Sequence, residues 1–338
     1  MSYPRRRRDG RNMYEGMTKT PRGLAAPVLL WCFLAFACTS RHTTTVAVIP
    51  KSNSHMFWQT VHAGANAAGR EFNVEILWNG AASETDHSRQ LQIVDAMIAR
   101  RVDGLAVAAS DRTALNASLD RAAAAGIPVA VFDSGVDSSN YMTFVATNNY
   151  EAGKLAARKL AELVGGKGKI AVVLHTPGSH SSMERERGFD DAIASEFPAI
   201  RVVARQFGMS DRARAMAAAE NIITAHPDLA GIFASAEPSS VGAALALKSR
   251  GLSGKIRYVA FDAAEATIDD LKGGTVDALV AQDPFRIGYE AVHAIVERLN
   301  GKTPPKLLDL SARVVTRADL SKPDVQALLF PDLKRHLR

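Results

Sequence analysis

No cysteine stands anywhere after Cys38 in this chain of 338 residues. A disulfide scaffold and a thiol nucleophile are therefore excluded downstream of that position. The short motifs that announce cofactor or metal chemistry are missing as well. No G-x-G-x-x-G opens a helix after the first apolar run, and "GGKGK" at 165–169 lacks the spacing of a nucleotide phosphate loop. There is no H-E-x-x-H, no C-x-x-C and no G-x-S-x-G, and the nine histidines never fall four apart on one helix. No cofactor, no metal and no catalytic residue is expected. Aromatic residues make up only 7% of the chain, so two of them side by side, Phe57 and Trp58, call for a reason.

A charge surplus is also lacking once the N-terminus is set apart. The formal charge is +6, and residues 1–37 hold seven basic against two acidic side chains, net +5. Only +1 remains for the rest, so a nucleic-acid partner loses its electrostatic basis. The basic stretch ends at Arg22 and is followed by "LAAPVLLWCFLAFA", an apolar run of 14 residues. That length suits an export signal and falls short of the roughly 20 residues of a membrane span. Residues 1–38 are read as a signal peptide, with Met17 an alternative start, and 39–44 as a polar tether. "LAFAC" resembles a bacterial lipobox, with Ala35 in place of the usual leucine, which predicts lipid anchoring through Cys38; cleavage as an ordinary signal peptide is the alternative.

From residue 45 short β-branched runs alternate with helix-period stretches. Strands are expected at 46–49, 74–78, 104–109, 128–132, 143–146, 169–174, 201–207, 230–234, 256–261 and 277–282. Between them, "DHSRQLQIVDAMIARR" places Leu91, Val94 and Ile98 on one helical face. Strands apolar on both faces and alternating with helices predict parallel sheets covered on both sides. The series divides near residue 147 into two similar halves. In open α/β sheets ligands bind beyond the carboxyl ends of strands. Polar residues recur there: Asp133, His175, Glu237, Asp262 and Gln282. One such residue is commonly a helix cap; five in register predict a lined cleft.

The order of "HMFW" 55–58, "GIPVAVFDS" 126–134, "FVATNN" 144–149, "ERERGF" 184–189, "AHPDLAGIFA" 225–234, "YVAFD" 258–262 and "VAQDPFRIGYEAV" 280–292 resembles the type I periplasmic binding proteins of the ribose and galactose kind. The resemblance runs from about 45 to 320. It implies two Rossmann-like α/β domains joined by three chain crossings, near Thr147, Gln282 and Ala312. The first lobe would take 45–146 and 283–312, the second 147–282 and 313–338. The related repressors carry a helix-turn-helix where this chain has an export signal.

The resemblance also implies a ligand site. Phe57 and Trp58 match two aromatics that cover the flat faces of a sugar, although Phe57, Val61, Ala65 and Ala68 equally read as a core stripe. His55 stands where the family has asparagine. Asp133 matches a hydroxyl acceptor, or else caps its turn, and Ser134 replaces the arginine of ribose binders. Arg185 matches an arginine whose planar fork suits adjacent hydroxyls, with a solvated helix face as the alternative. Asp262 and Gln282 match two further contacts, Gln282 at a hinge. Glu237 follows Ala236 where an amide is usual, and either replaces that contact or caps the next helix. Asn148 and Asn149 read as hinge caps, His175 and Ser179 as second-lobe contacts. The expected function is an exported substrate-binding protein of an ABC importer, monomeric, binding a monosaccharide or polyol and working with membrane permease subunits. Alternatives are a sensory subunit for a membrane kinase or chemoreceptor and, remotely, an exported sugar-acting enzyme using Asp133 and Asp262 as acid and base.

Overall fold

The structure, a computed structural model, describes residues 43–337. The leader, the tether up to His42 and Cys38 lie outside the described residues. In chain order the elements are β1 (Thr45–Ile49), α1 (Met56–Phe72), β2 (Glu75–Trp78), α2 (His87–Ala99), β3 (Gly104–Val107), α3 (Asn116–Ala124), β4 (Val129–Phe132) and β5 (Thr143–Thr147). Then follow α4 (Asn149–Leu163), β6 (Gly168–Leu174), α5 (His180–Glu196), β7 (Ile200–Phe207), α6 (Arg212–Ala225), β8 (Leu229–Ala234), α7 (Glu237–Ser249), β9 (Arg257–Phe261), α8 (Glu265–Gly273) and β10 (Ala278–Ala281). The chain closes with α9 (Pro284–Leu299), β11 (Leu307–Leu310), β12 (Arg313–Thr316), α10 (Pro323–Leu329) and α11 (Leu333–His336).

The strands form two six-stranded sheets, ordered β11-β5-β4-β3-β1-β2 and β12-β10-β9-β8-β6-β7. The central strands of each sheet are apolar and buried on both faces, and helices cover both faces. In the first lobe one core gathers Val46, Val48, Val61, Phe132 and Ile295; the other face gathers Ala47, Ile49, Leu105, Leu119 and Val131. The second lobe repeats the plan, with Ile222, Leu247 and Tyr258 on one side and Leu160, Phe189, Phe233 and Phe261 on the other.

The chain changes sheet after β5, after β10 and between β11 and β12. Two changes coincide with helix starts. Asn148 caps α4 by accepting from the Glu151 amide, and Asp283 caps α9 by accepting from the Arg286 amide. β11 and β12 are not among the strands expected from sequence. β12 is also an exception to the parallel expectation, pairing antiparallel with β10. The reason is directional: it enters the second lobe from the hinge end, where the other strands finish. The final residues also depart from the expected division. Val325 and Leu329 of α10 join the second-lobe core, whereas α11 returns to the first lobe. There the Asn66 side chain donates to the His336 carbonyl at 2.9 Å, and Phe285 meets the His336 ring edge-on at 5.3 Å.

In each lobe glycine allows a close helix crossing. A Cβ on Gly64 of α1 would lie 1.9 Å from the Phe285 carbonyl oxygen on α9, and one on Gly153 of α4 would lie 2.0 Å from the Arg185 carbonyl oxygen on α5. The second crossing fixes the helix that carries Arg185.

Candidate functional site

A small cavity lies where the carboxyl ends of both sheets meet, with a volume of about 30 Å³, on the order of one or two waters. Its lining brings together His55, Phe57, Trp58, Asp133, His175, Arg185, Glu237, Asp262 and Gln282 from the sequence reading, and adds Lys51, Glu84, Ser181 and Ser182. Ser134 and Ser179 are fully buried beside it rather than on its wall. Ser134 accepts from the Ser181 amide at 3.3 Å, and Ser179 accepts from Lys51 at 2.9 Å.

Two aspartates stand at equivalent places. Asp133 follows β4 and Asp262 follows β9; their φ angles are 56° and 69°. This left-handed region is costly for most side chains and tolerated by Asp and Asn. Each amide still donates to the neighbouring strand, Asp133 to Val145 at 2.9 Å and Asp262 to Val280 at 3.0 Å. The twist lets the chain leave the sheet while its carboxylate stays at the strand end.

Asp262 accepts from Gln282 Nε2 at 2.7 Å and from the Glu237 amide at 3.1 Å. Arg185 lies 3.9 Å from it, stacks 3.9 Å over the Phe261 ring, and donates to Asn149 Oδ1 at 2.7 Å and the Ser235 carbonyl at 2.9 Å. Arg185 is thus buried rather than part of a solvated face, and Asn149 holds it instead of capping a helix. Burial pushes the Asp262 carboxyl up to about 6 against the pull of Arg185 and Gln282, and pushes the neighbouring Glu186 up to about 7. Glu237 does not cap α7. Its carboxylate accepts from the Phe57 amide of the opposite lobe at 3.1 Å and from Arg212 at 2.8 Å.

On the first-lobe side Phe57 and Trp58 meet edge to face at 4.9 Å, and both also belong to the core beneath α1. Cavity wall and core stripe are one surface. The Trp58 indole donates to Glu84 Oε1 at 2.7 Å. Lys51 Nζ lies 3.4 Å from Asp133 and donates across the cleft to Ser179 and Ser181, each at 2.9 Å. His55 pairs with Ser210 of the second lobe at 3.2 Å. The cleft is therefore bridged by side chains from both lobes.

Sequence reasoning missed Lys51 and Glu84. Lys51 is the second residue after β1, a strand-end position of the kind used for Asp133 and Asp262, so that signal was available. Glu84 lies in an irregular loop, and its place depends on long-range hydrogen bonds. Among the described residues no group of three or more His, Cys, Asp or Glu side chains is arranged to hold a metal, and no helix is long and apolar enough to cross a membrane.

The family description "Periplasmic binding protein domain" matches residues 46–303. This chain belongs to the periplasmic binding protein family. The ribose import binding protein of Bacillus subtilis is 27% identical over 81% of this chain and 87% of its own length. Among solved structures, a carbohydrate transporter solute-binding protein from Agrobacterium radiobacter in complex with D-arabinose is 30% identical with a TM-score of 0.84, covering 86% of this binding protein and all of that chain. An ABC transporter solute-binding protein from Agrobacterium vitis with bound D-fucose is 33% identical with a TM-score of 0.82, covering 85% and 100%. These relatives are transport proteins, not enzymes, and membership of the family places this binding protein in the periplasm.

Proposed function

We propose that this binding protein captures a monosaccharide or polyol between its lobes and delivers it to an ABC importer. The observation that carries the reading is the convergence of two aromatic rings, three ionic groups from each lobe and a hinge amide on one cavity. A sugar ring has flat C–H faces and a rim of hydroxyls. Phe57 and Trp58 supply apolar surface for the faces. Asp133, Arg185, Asp262 and Gln282 supply charged and amide partners for the rim. His55 and Glu237 stand at the cavity edge, each joined to the other lobe.

Entry of a ring needs the side chains that reach across the cleft to draw apart. The three crossings between the lobes are the hinge for that motion, and Gln282 joins it to the site by bonding Asp262 next to the second crossing. A ligand that bonds both walls favours the closed form by its differential affinity. Closure would present permease subunits with a shape that distinguishes loaded from empty protein. Cys38 would tether a monomer to the membrane by its lipid.

A thermal-shift panel of pentoses, hexoses, 6-deoxyhexoses and polyols tests the reading. A ligand present at about 100 times its Kd stabilises by roughly 2.7 kcal/mol. One or a few stereochemically related sugars should raise the Tm by several degrees. A panel in which none does so, with the protein folded, contradicts the proposal.

A further inference from the structure

Glu84 stands in the loop between β2 and α2, and that loop is firmly placed. The Asn53 amide donates to the Ala81 carbonyl at 3.0 Å, and its side chain donates to Gly80 at 2.8 Å. The Trp78 indole donates to Asn53 Oδ1 at 2.9 Å, and Asp86 caps α2 just beyond. Glu84 is 5% exposed. One carboxylate oxygen is bonded by Trp58. The other lies 3.0 Å from His175 Nε2 across the cleft. Gln282 Oε1 is a buried atom on the cavity without a hydrogen-bond partner among the described residues. Buried polar atoms are ordinarily paired, so this acceptor and the Glu84 carboxylate on the cavity wall mark where ligand hydroxyls belong.

The charge of the cavity sets the kind of ligand. Four carboxylates line it, Glu84, Asp133, Glu237 and Asp262, against the cations Lys51 and Arg185. Arg212 reaches Glu237 from a half-exposed position at the rim. Burial tends to raise the Glu84 pKa, but His175, Lys51 and His55 outweigh it and hold the carboxyl below its usual range; burial lowers that of His175. At neutral pH Glu84 is ionised, and carboxylates outnumber fixed cations on the cavity.

Resting on the sugar-binding reading above, we infer that Glu84 is a specificity-determining contact, accepting from a hydroxyl of a neutral sugar beside His175 and excluding sugars that carry a carboxylate. An acidic sugar placed at this end meets Glu84 in a dry site where like charges repel strongly.

The test is calorimetric titration of the wild-type protein and of Glu84→Gln and Glu84→Asp with D-ribose, D-arabinose, D-fucose, D-galactose, D-galacturonate and D-glucuronate. Glu84→Gln keeps the shape and an acceptor for Trp58, and its melting curve checks the fold. The wild type is expected to prefer one neutral sugar over both uronates by at least about a hundredfold. Glu84→Gln should weaken that neutral sugar about tenfold or more and narrow the margin over the uronates, with Glu84→Asp recovering part of the margin. A folded Glu84→Gln with unchanged affinity, or with all affinities lowered in proportion, overturns the inference while leaving sugar binding intact. Tightest binding of a uronate by the wild type also overturns it. No binding of these six or of any sugar or polyol in the panel above by the folded wild type refutes the sugar-binding reading, and this inference with it.

Discussion

Asp133 and Asp262 share a backbone device and differ in company. Both follow the fourth strand of their own lobe's βα series, both take the left-handed conformation, and both end on the same cavity. Asp133 faces Lys51, which is itself held by two serines of the opposite lobe. Asp262 is locked within its own half by Gln282, the Glu237 amide and Arg185. The first lobe thus offers a carboxylate whose lysine partner is held by the opposite lobe. The second offers a network assembled before the lobes meet. One structural unit, used twice, gives a responsive wall and a preformed wall.

The largest expected effect separates the two. Asp262→Asn keeps the backbone preference but leaves buried Arg185 without its counter-ion, and should weaken sugar binding by about a hundredfold, ~3 kcal/mol. Asp133→Asn should cost nearer tenfold, about 1.4 kcal/mol, because Lys51 retains Ser179 and Ser181. Equal losses by calorimetry would break the distinction. The glycine crossings sharpen it. Gly64→Ala and Gly153→Ala should each cost roughly 1–3 kcal/mol in denaturant unfolding, since each new methyl meets a carbonyl oxygen. Only Gly153→Ala presses on the backbone of Arg185, so it alone should also reduce affinity; loss of affinity in both variants would place the control elsewhere. A smaller effect tests the backbone device. Asp133→Ala and Asp262→Ala should each lose about 1 kcal/mol more stability than the matching Asn variants, because alanine tolerates positive φ poorly.

The smallest effect is in pH, and its sign is opposite for fold and ligand. The raised carboxyls of Asp262, about 6, and Glu186, about 7, bind protons in the folded protein where the unfolded chain has released them. Their contribution to stability is therefore present at low pH and is lost as pH rises through these folded values. Ligand hydroxyls that donate to an ionised Asp262 favour the deprotonated form. Sugar affinity should consequently fall severalfold between about pH 7 and 5.5, while the ligand-free protein gains stability from these two groups. Asp262→Asn should remove the Asp262 part of both trends. Affinity that is flat with pH in the wild type would show that Asp262 does not accept from the ligand.

The aspartates were legible in sequence because "VFDS" and "AFDA" end apolar runs at matching places, and a strand end in an open sheet points at the cleft. Arg185 was found through the "ERERGF" resemblance, though its burial was not readable among four consecutive charges. Glu84 was invisible because its loop is placed by Asn53, distant in sequence and without periodicity. Ser134 follows Asp133 yet lies buried beside the cavity, accepting from the Ser181 amide. β12 and α11 escaped notice because short, half-exposed segments near a chain end take their partners from tertiary packing, not from local pattern.

The most direct test is a crystal structure of the protein with the sugar that most raises its melting temperature. The account predicts a ring between the lobes, one face against Phe57 and Trp58, with hydroxyls within hydrogen-bond distance of Arg185, Asp262 and Asp133. A sugar seated elsewhere, or Trp58, Arg185 and Asp262 left without contact to it, would contradict the account.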